Sequence, residues 1–478
     1  MKMFIDGQNV DASDKAEIPV LNPYTLQQID TIPSATEEDV RRAVASARRG
    51  QELWEAVPMC ERISIMKRFR SLLAENGEEL ADTLTMELGK PILQSRACID
   101  TTLNVLDNFI ESARTLGGET YVPSNFGPSG DFVMTIHEPI GVIACILPFN
   151  YPIELFVQKV APALLMGNSV VIKPATDTPL ANIKMVGLLL EAGVIPEAVQ
   201  LVTGSGSKIG NWLCSSEGID SISLTGSTAV GVQTAKNAAP HLHEVGLELG
   251  GNDPLIIFED CDLDDAVSEA VAGRNANTGQ TCCASKRFIV QNSIKEAFVE
   301  KLVAAVQSLV IGDPKDEATQ VGPLVNRKAA QDVYMQIQKT VSEGGRILCG
   351  GNLIDEKIVE PTVLTDITPD MSVAKEMEIF GPVWPVIGFD TADEAVSIAN
   401  ATPYGLSSGI ITDDVKKALR LARKIDAGGV VLNGASMYRT PEQPFGGYKM
   451  TGLGQEGGRN TLLSMSLNKT LILKGIFK

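Results

Sequence analysis

A chain of 478 residues is too long for one compact core and fits about two to four domains. Its 44% apolar and 21% charged residues are those of an ordinary globular protein, so the core should be large and independent of crosslinks. A formal net charge of −18, with no Lys/Arg cluster longer than two, excludes nucleic acid and anionic membrane surfaces as main partners.

The N-terminal "MKMFIDGQNVDASDK" turns polar too early for a signal peptide, and no stretch approaches the ~18 apolar residues of a membrane span. A soluble, cytoplasmic protein is expected. From about residue 35 to 120, apolar residues at three- and four-residue spacing predict helices over "TEEDVRRAVASARRGQELW" and "CERISIMKRFRSLLAENGEELADTLTMELGKP", with Thr36 as N-cap and Gly89 and Pro91 as a stop. Residues 121–139 read as a hairpin-like insertion. From about 140, short apolar runs ending in Pro or Gly ("IGVIACILP", "SVVIKP", "VQLVTG", "SISLTG") alternate with helix-like segments, which predicts a doubly wound α/β unit with a parallel sheet. A second alternation after Gly250, with strands at "DPLIIFED", "SKRFIVQN", "VWPVIGFD", "SSGIITDD" and "GGVVLNG", predicts a second α/β unit. The tail "TLLSMSLNKTLILKGIFK" reads as a lone strand. A hairpin and a terminal strand leave unpaired edges, so pairing across subunits, and hence a homodimer or homotetramer, is expected.

Eight cysteines are scattered without a CxxC pair, and there are three histidines, so no zinc site is expected. "SLTGSTAVG" runs from a strand through Gly226 and Ser227 into a helix. "VTGSGSKIG", with Gly206 and Gly210, offers a second such turn. Free N–H groups at a helix start suit a phosphate, but a tight structural turn explains each equally well. Lys173 follows an apolar strand at the end where doubly wound sheets bind ligands. Glu248 lies in the apolar, glycine-rich "VGLELGGNDP". There burial would raise its pKa toward a general base's range, or an unseen cation would pair it. Cys282 and Cys283 follow the polar "NTGQT", which argues against a core position. A catalytic thiolate, a vicinal redox pair and two packed side chains all remain open.

Together these segments resemble the aldehyde dehydrogenase superfamily. Its landmarks occur in order over nearly the whole chain: "PFNYP", "VIKPA", "LTGSTAVG", "LELGG", "GQTC", "EIFGPV" and "PFGGYKMTGLGQEGG". The resemblance implies a Rossmann-like cofactor domain over 1–120 and 140–249, a catalytic α/β domain over 250–458, and an oligomerisation arm from 121–139 and 459–478. It makes Cys282 the nucleophile, Glu248 the base and Asn150 an oxyanion donor. The same resemblance assigns Lys173 and Glu378 to the cofactor's ribose groups and Gly226 and Ser227 to its pyrophosphate. Phe149, Thr176, Gly206, Gly210, Thr225, Leu249 and Phe380 complete the implied cofactor site. The implied reaction oxidises a small aldehyde to its acid through a thiohemiacetal and a thioester, hydrolysed by water that Glu248 activates. CoA as acyl acceptor, or a silent binding protein on the same fold, are the alternatives.

Two departures stand out. Where most relatives carry a glutamate three residues after the lysine, this chain has Thr176. A carboxylate there would repel a 2′-phosphate by about 4 kcal/mol at ~4 Å and an effective dielectric of ~20, so NADP is expected to be accepted and preferred, with NAD as the alternative. Relatives that use succinate semialdehyde often carry an arginine in the helix after "PFNYP"; this chain has Gln158. Arg439, before "PFGG", could grip an anionic substrate or brace its loop. A short hydroxylated or anionic aldehyde (lactaldehyde, glyceraldehyde or succinate semialdehyde) is expected.

Overall fold

The computed structural model describes residues 1–121 and 130–476. Two sheets organise it. In the first, the parallel strands Val199–Leu201, Ser169–Lys173, Val142–Ile146, Ser221–Thr225 and Glu244–Glu248 lie side by side in that order. Numbered along the chain, this is the order 3-2-1-4-5, which reverses between Val142–Ile146 and Ser221–Thr225. A ligand crevice opens at such a reversal, beyond the carboxyl ends of the strands. Antiparallel strands at Met3–Ile5 and Gly452–Leu453 extend the two sides of this sheet. The second sheet runs Arg346–Cys349, Thr362–Ile367, Val383–Phe389, Ser285–Gln291, Asp253–Ile257, Gly409–Ile411 and Val431–Leu432, parallel except at Arg346–Cys349.

Both sheets are covered on both faces, as their continuous apolar strands require. In Val142–Ile146, Ile143 and Cys145 enter the core formed with the N-terminal helices, while Val142, Ala144 and Ile146 enter the core on the opposite face. In the second sheet Ile256 faces one core, and Leu255 and Ile257 the other.

The helices expected between 35 and 120 are Glu37–Glu55, Met59–Glu75, Gly77–Leu88 and Ile92–Thr115. The expected helix over 60–91 is interrupted at Asn76 and stops at Gly89, in left-handed conformation. Thr36 caps the first helix through a capping box with Asp39. Four short strands before residue 34 were not anticipated.

The tail is not a lone strand. Gly458–Ser464 is helical, and Ser466–Leu473 pairs antiparallel with Phe132–Pro139 over eight residues of its own chain. Thr120–Tyr121 pairs the other edge of Phe132–Pro139. The expected hairpin turn lies outside the described residues. Among the described residues no helix is long and apolar enough to cross a membrane.

Trp384, fully buried, donates its indole N–H to the Ala270 carbonyl at 3.0 Å and fills the core between the second sheet and its helices. Trp384→Ala is expected to cost about 3–5 kcal/mol in urea unfolding, from lost burial and an unsatisfied carbonyl.

Candidate active site

The chain enters the candidate nucleophile through three consecutive residues at positive φ: Asn277 at 52°, Thr278 at 55° and Gly279 at 78°. Left-handed backbone is costly for residues bearing a Cβ, so the surroundings must hold it. Gln94 Oε1 accepts the Asn277 N–H at 2.7 Å, and Thr278 Oγ1 accepts the Gly322 N–H at 3.1 Å. Gln280 Oε1 accepts the Val325 N–H at 3.0 Å, and its Nε2 donates to the Asn277 carbonyl at 3.1 Å. Asn150 joins the loop from the first sheet. Its Nδ2 donates to the Gln280 carbonyl at 3.0 Å, while its own carbonyl accepts from Asn277 Nδ2 at 3.0 Å. The Tyr151 hydroxyl lies 2.9 Å from Thr281 Oγ1.

The polar "NTGQT" lead-in is itself buried, although its polarity argued against a core position: Asn277, Thr278 and Gln280 are each 1% exposed. Its polar groups bond to the protein instead of water. The two thiols behind it separate. Cys282 is partly exposed and lines a cavity; Cys283 is buried with Leu406 and Phe445. A hydrogen bond between the two sulfurs raises the Cys282 thiol and lowers the Cys283 thiol; burial raises both, and Lys286 and Arg439 lower both. The pair thus yields its first proton more readily than its second.

Glu248, at the end of Glu244–Glu248, is buried. Burial pushes its carboxyl well above the ordinary range, the Glu456 and Cys282 charges push further, and Lys159 and Arg439 oppose them. Lys159 itself, 1% exposed in the helix Pro152–Leu165, pairs with Glu456 at 2.6 Å. Glu456, Lys159, Cys282 and Arg439 thus all act on Glu248 in a low-dielectric setting.

The cavity that Cys282 lines has a volume of about 620 Å³ and sits at the strand-order reversal of the first sheet. Every residue expected at the cofactor lines it: Phe149, Lys173, Thr176, Gly206, Gly210, Thr225, Gly226, Ser227, Leu249, Glu378 and Phe380, with Asn150 beside Cys282. The helices Gly206–Cys214 and Thr228–Ala238 begin at its wall, aiming free N–H groups inward. Gly250 permits the approach of Glu378: a Cβ there would lie 2.5 Å from Glu378 Oε2. Size, helix termini and the Lys173 and Glu378 side chains on its wall fit a dinucleotide.

A second cavity of about 720 Å³ lies across the cysteine loop, lined among others by Tyr151, Glu154, Ala276 and Met437. Neither Gln158 nor Arg439 lines either cavity. Both nonetheless carry buried polar atoms without a partner, Gln158 Oε1 and Arg439 Nη2. The Arg439 guanidinium stacks on Phe445 at 3.9 Å, with Nη2 3.9 Å from Glu456.

A family model described as "Aldehyde dehydrogenase family" matches residues 10–471. The chain belongs to the aldehyde dehydrogenase family. It is 37% identical to a glutarate-semialdehyde dehydrogenase of Pseudomonas putida, over 95% of this chain and 94% of that protein. It is 34% identical to a lactaldehyde dehydrogenase of Methanococcus maripaludis, over 99% and 100%. Among solved structures, an NADP-dependent enzyme of E. coli superposes with a TM-score of 0.95 at 33% identity, covering 99% of this chain and 98% of that one. An NAD-dependent aldehyde dehydrogenase of Sinorhizobium meliloti gives 0.96 at 35%, covering 99% and 94%.

Sequence reading of this aldehyde dehydrogenase missed Lys159, Glu456, Lys286 and the Asn277–Gln280 network. A lysine inside the apolar helix "IELFVQKVAPALL" was the available signal, because a buried charge needs a partner. Gly279→Ala would place a Cβ 2.3 Å from the Gly381 carbonyl oxygen at a left-handed position. It is expected to lower stability by about 2 kcal/mol or more. Turnover should fall with it, and a melting curve beside an activity assay checks both.

Proposed function

We propose that this aldehyde dehydrogenase oxidises a short anionic or hydroxylated aldehyde to its acid, with Cys282 as nucleophile, Glu248 as base and Asn150 as oxyanion donor. The observation that carries it is the convergence of Cys282, Asn150 and the raised carboxyl of Glu248 beside a cavity shaped for a dinucleotide. Of the two thiols, only Cys282 faces that cavity, so it attacks the carbonyl carbon once its proton is lost, a loss that Lys286 and Arg439 favour. One Asn150 amide hydrogen holds the Gln280 carbonyl, and the other is free for the thiohemiacetal oxygen. A bound oxidised nicotinamide would supply the two-electron acceptor to which the thiohemiacetal loses its hydride in becoming a thioester. Glu248 then takes a proton from the water that attacks the thioester, and the acid leaves. In this reading the first sheet and its helices form the dinucleotide-binding domain over 1–120 and 140–249, residues 250–458 the catalytic domain, and 121–139 with 459–478 an oligomerisation arm. The outer edge of Ser466–Leu473 has no partner strand among the described residues and exposes Leu467 and Ile472, which suits pairing with a second copy.

NADP is the proposed preferred cofactor. Thr176 presents no charge and donates to the Gly204 carbonyl at 2.9 Å, while Lys173 lines the same wall. Asp177 does not line the cavity, and Asn326 holds its Oδ1 at 3.1 Å. The names of the glutarate-semialdehyde and lactaldehyde relatives favour a small acidic or hydroxylated substrate, and Arg439, whose buried Nη2 makes no hydrogen bond and only a 3.9 Å ion pair with Glu456, gives it a cation.

Cys282→Ser is expected to abolish the first-turnover rise in reduced dinucleotide. Glu248→Gln should keep that rise and slow steady turnover. A first-turnover rise of wild-type size in Cys282→Ser would refute the nucleophile assignment. Because Glu248 must be ionised to act and its pKa is raised, steady turnover should climb with pH where ordinary carboxylates are already ionised, and the climb should vanish in Glu248→Gln.

Burial lowers the Lys173 ammonium to about 8, against a partial opposing effect of Asp177. A 2′-phosphate needs the charged form, so KM for NADP should be flat below pH 8 and rise about tenfold per pH unit above it, with a weaker dependence for NAD. Equal dependence for both, or a tenfold NAD preference in kcat/KM, removes the NADP reading.

Arg439→Ala should lower kcat/KM about 10–100-fold for anionic aldehydes and far less for neutral ones. Equal loss on both classes overturns anionic recognition.

A further inference from the structure

Lys286 is a buried cation without a task in the reaction above. It is the second residue of the strand Ser285–Gln291, directly behind the cysteine loop, and its side chain is 1% exposed. Its Nζ donates to the Cys282 backbone carbonyl and lies 3.2 Å from Glu378 Oε1. It does not line the dinucleotide cavity, although Cys282, Glu378 and Phe380 all do, and it sits 5.8 Å from the Phe380 ring centre. An ammonium taken out of water has lost its hydration, and so fixes strongly whatever oxygens replace it.

The Glu378 carboxylate is held by one oxygen. Oε1 receives Lys286 Nζ and, at 3.3 Å, the Gly251 N–H. Oε2 lies over Gly250, whose missing Cβ would be 2.5 Å away. Lys286 and Gly251 thus both hold Oε1, while Oε2 lies against Gly250, which itself lines the cavity. Gly251 packs in the same knot: a Cβ there would lie 3.1 Å from the Cys282 carbonyl oxygen and 3.0 Å from Asp253 Oδ1. Asp253, fully buried, faces the same ammonium, which pulls its carboxyl down while burial raises it to about 7.

We infer that Lys286 is a positioning residue: by holding the Cys282 carbonyl and Glu378 Oε1 at once, it locks the nucleotide ribose's carboxylate to the peptide that carries the nucleophile. Nucleophile and dinucleotide then share one anchor, and the carbonyl carbon meets both at a fixed separation. The inference rests on the reading of Glu378 as the ribose-binding carboxylate.

The test is a double-mutant cycle over Lys286→Met and Glu378→Gln. Two readouts are taken: dinucleotide Kd by titration without aldehyde, and the rate of the first turnover with aldehyde. Lys286→Met alone should weaken dinucleotide binding and slow the first turnover, each by about tenfold or more, since hydrogen bonds to charged groups carry that much. In the Glu378→Gln background the same change should alter Kd by less than about threefold, because its route of action is already cut. Equal losses of Kd in both backgrounds overturn the inference, as does an unchanged Kd in Lys286→Met. Should the methionine variant fail to fold, Lys286→Gln, which keeps a donor and drops the charge, goes through the same cycle with the same two outcomes. Wild-type protein that turns over no aldehyde would sink the proposed function instead, and so separates the two failures.

Discussion

The left-handed run at Asn277, Thr278 and Gly279 is the constraint on which the site depends. It reverses the chain between the helix Leu263–Asn275 and the strand Ser285–Gln291, and the reversal sets Cys282 at the first sheet's crevice. Such backbone does not persist unsupported. Its support comes from both halves of the molecule: Gln94 and Asn150 from one, Gly322 and Val325 from the other. The nucleophile therefore exists as a positioned group only when the two sheets are docked.

Electrostatics completes what the backbone begins. Two carboxylates, Glu248 and Glu456, would repel one another in a dry site, and Lys159, paired with Glu456 at 2.6 Å, offsets part of the rise at Glu248. Burial and the neighbouring Glu456 and Cys282 raise the Glu248 carboxyl, so it ionises, and can act as a base, only at a higher pH than an ordinary carboxyl. Two adjacent sulfurs sharing one proton follow the same logic. In each pair the first ionisation makes the second harder.

Much of this was legible in the sequence. Strand–helix alternation and Gly- or Pro-terminated apolar runs gave both sheets, since each run is long enough to be buried on two faces. Phe149, Lys173, Thr225, Gly226, Glu378 and Phe380 line one cavity because each stands at a strand end or turn, where motif position reflects spatial position. What sequence could not show were contacts between distant segments. Lys159 finds Glu456 almost three hundred residues on, and Lys286 finds Glu378 across two strands of the second sheet. The tail misled for a related reason: its partner, Phe132–Pro139, lies far back in the chain, and an isolated strand pattern carries no record of what it pairs with.

Asn150 and Tyr151 are neighbours in sequence, yet they open onto different chambers, one behind Cys282's face and one beyond the loop. Two side chains one residue apart thus wall two separate spaces, so an exchange at either one reshapes its own chamber and leaves the lining of the other intact.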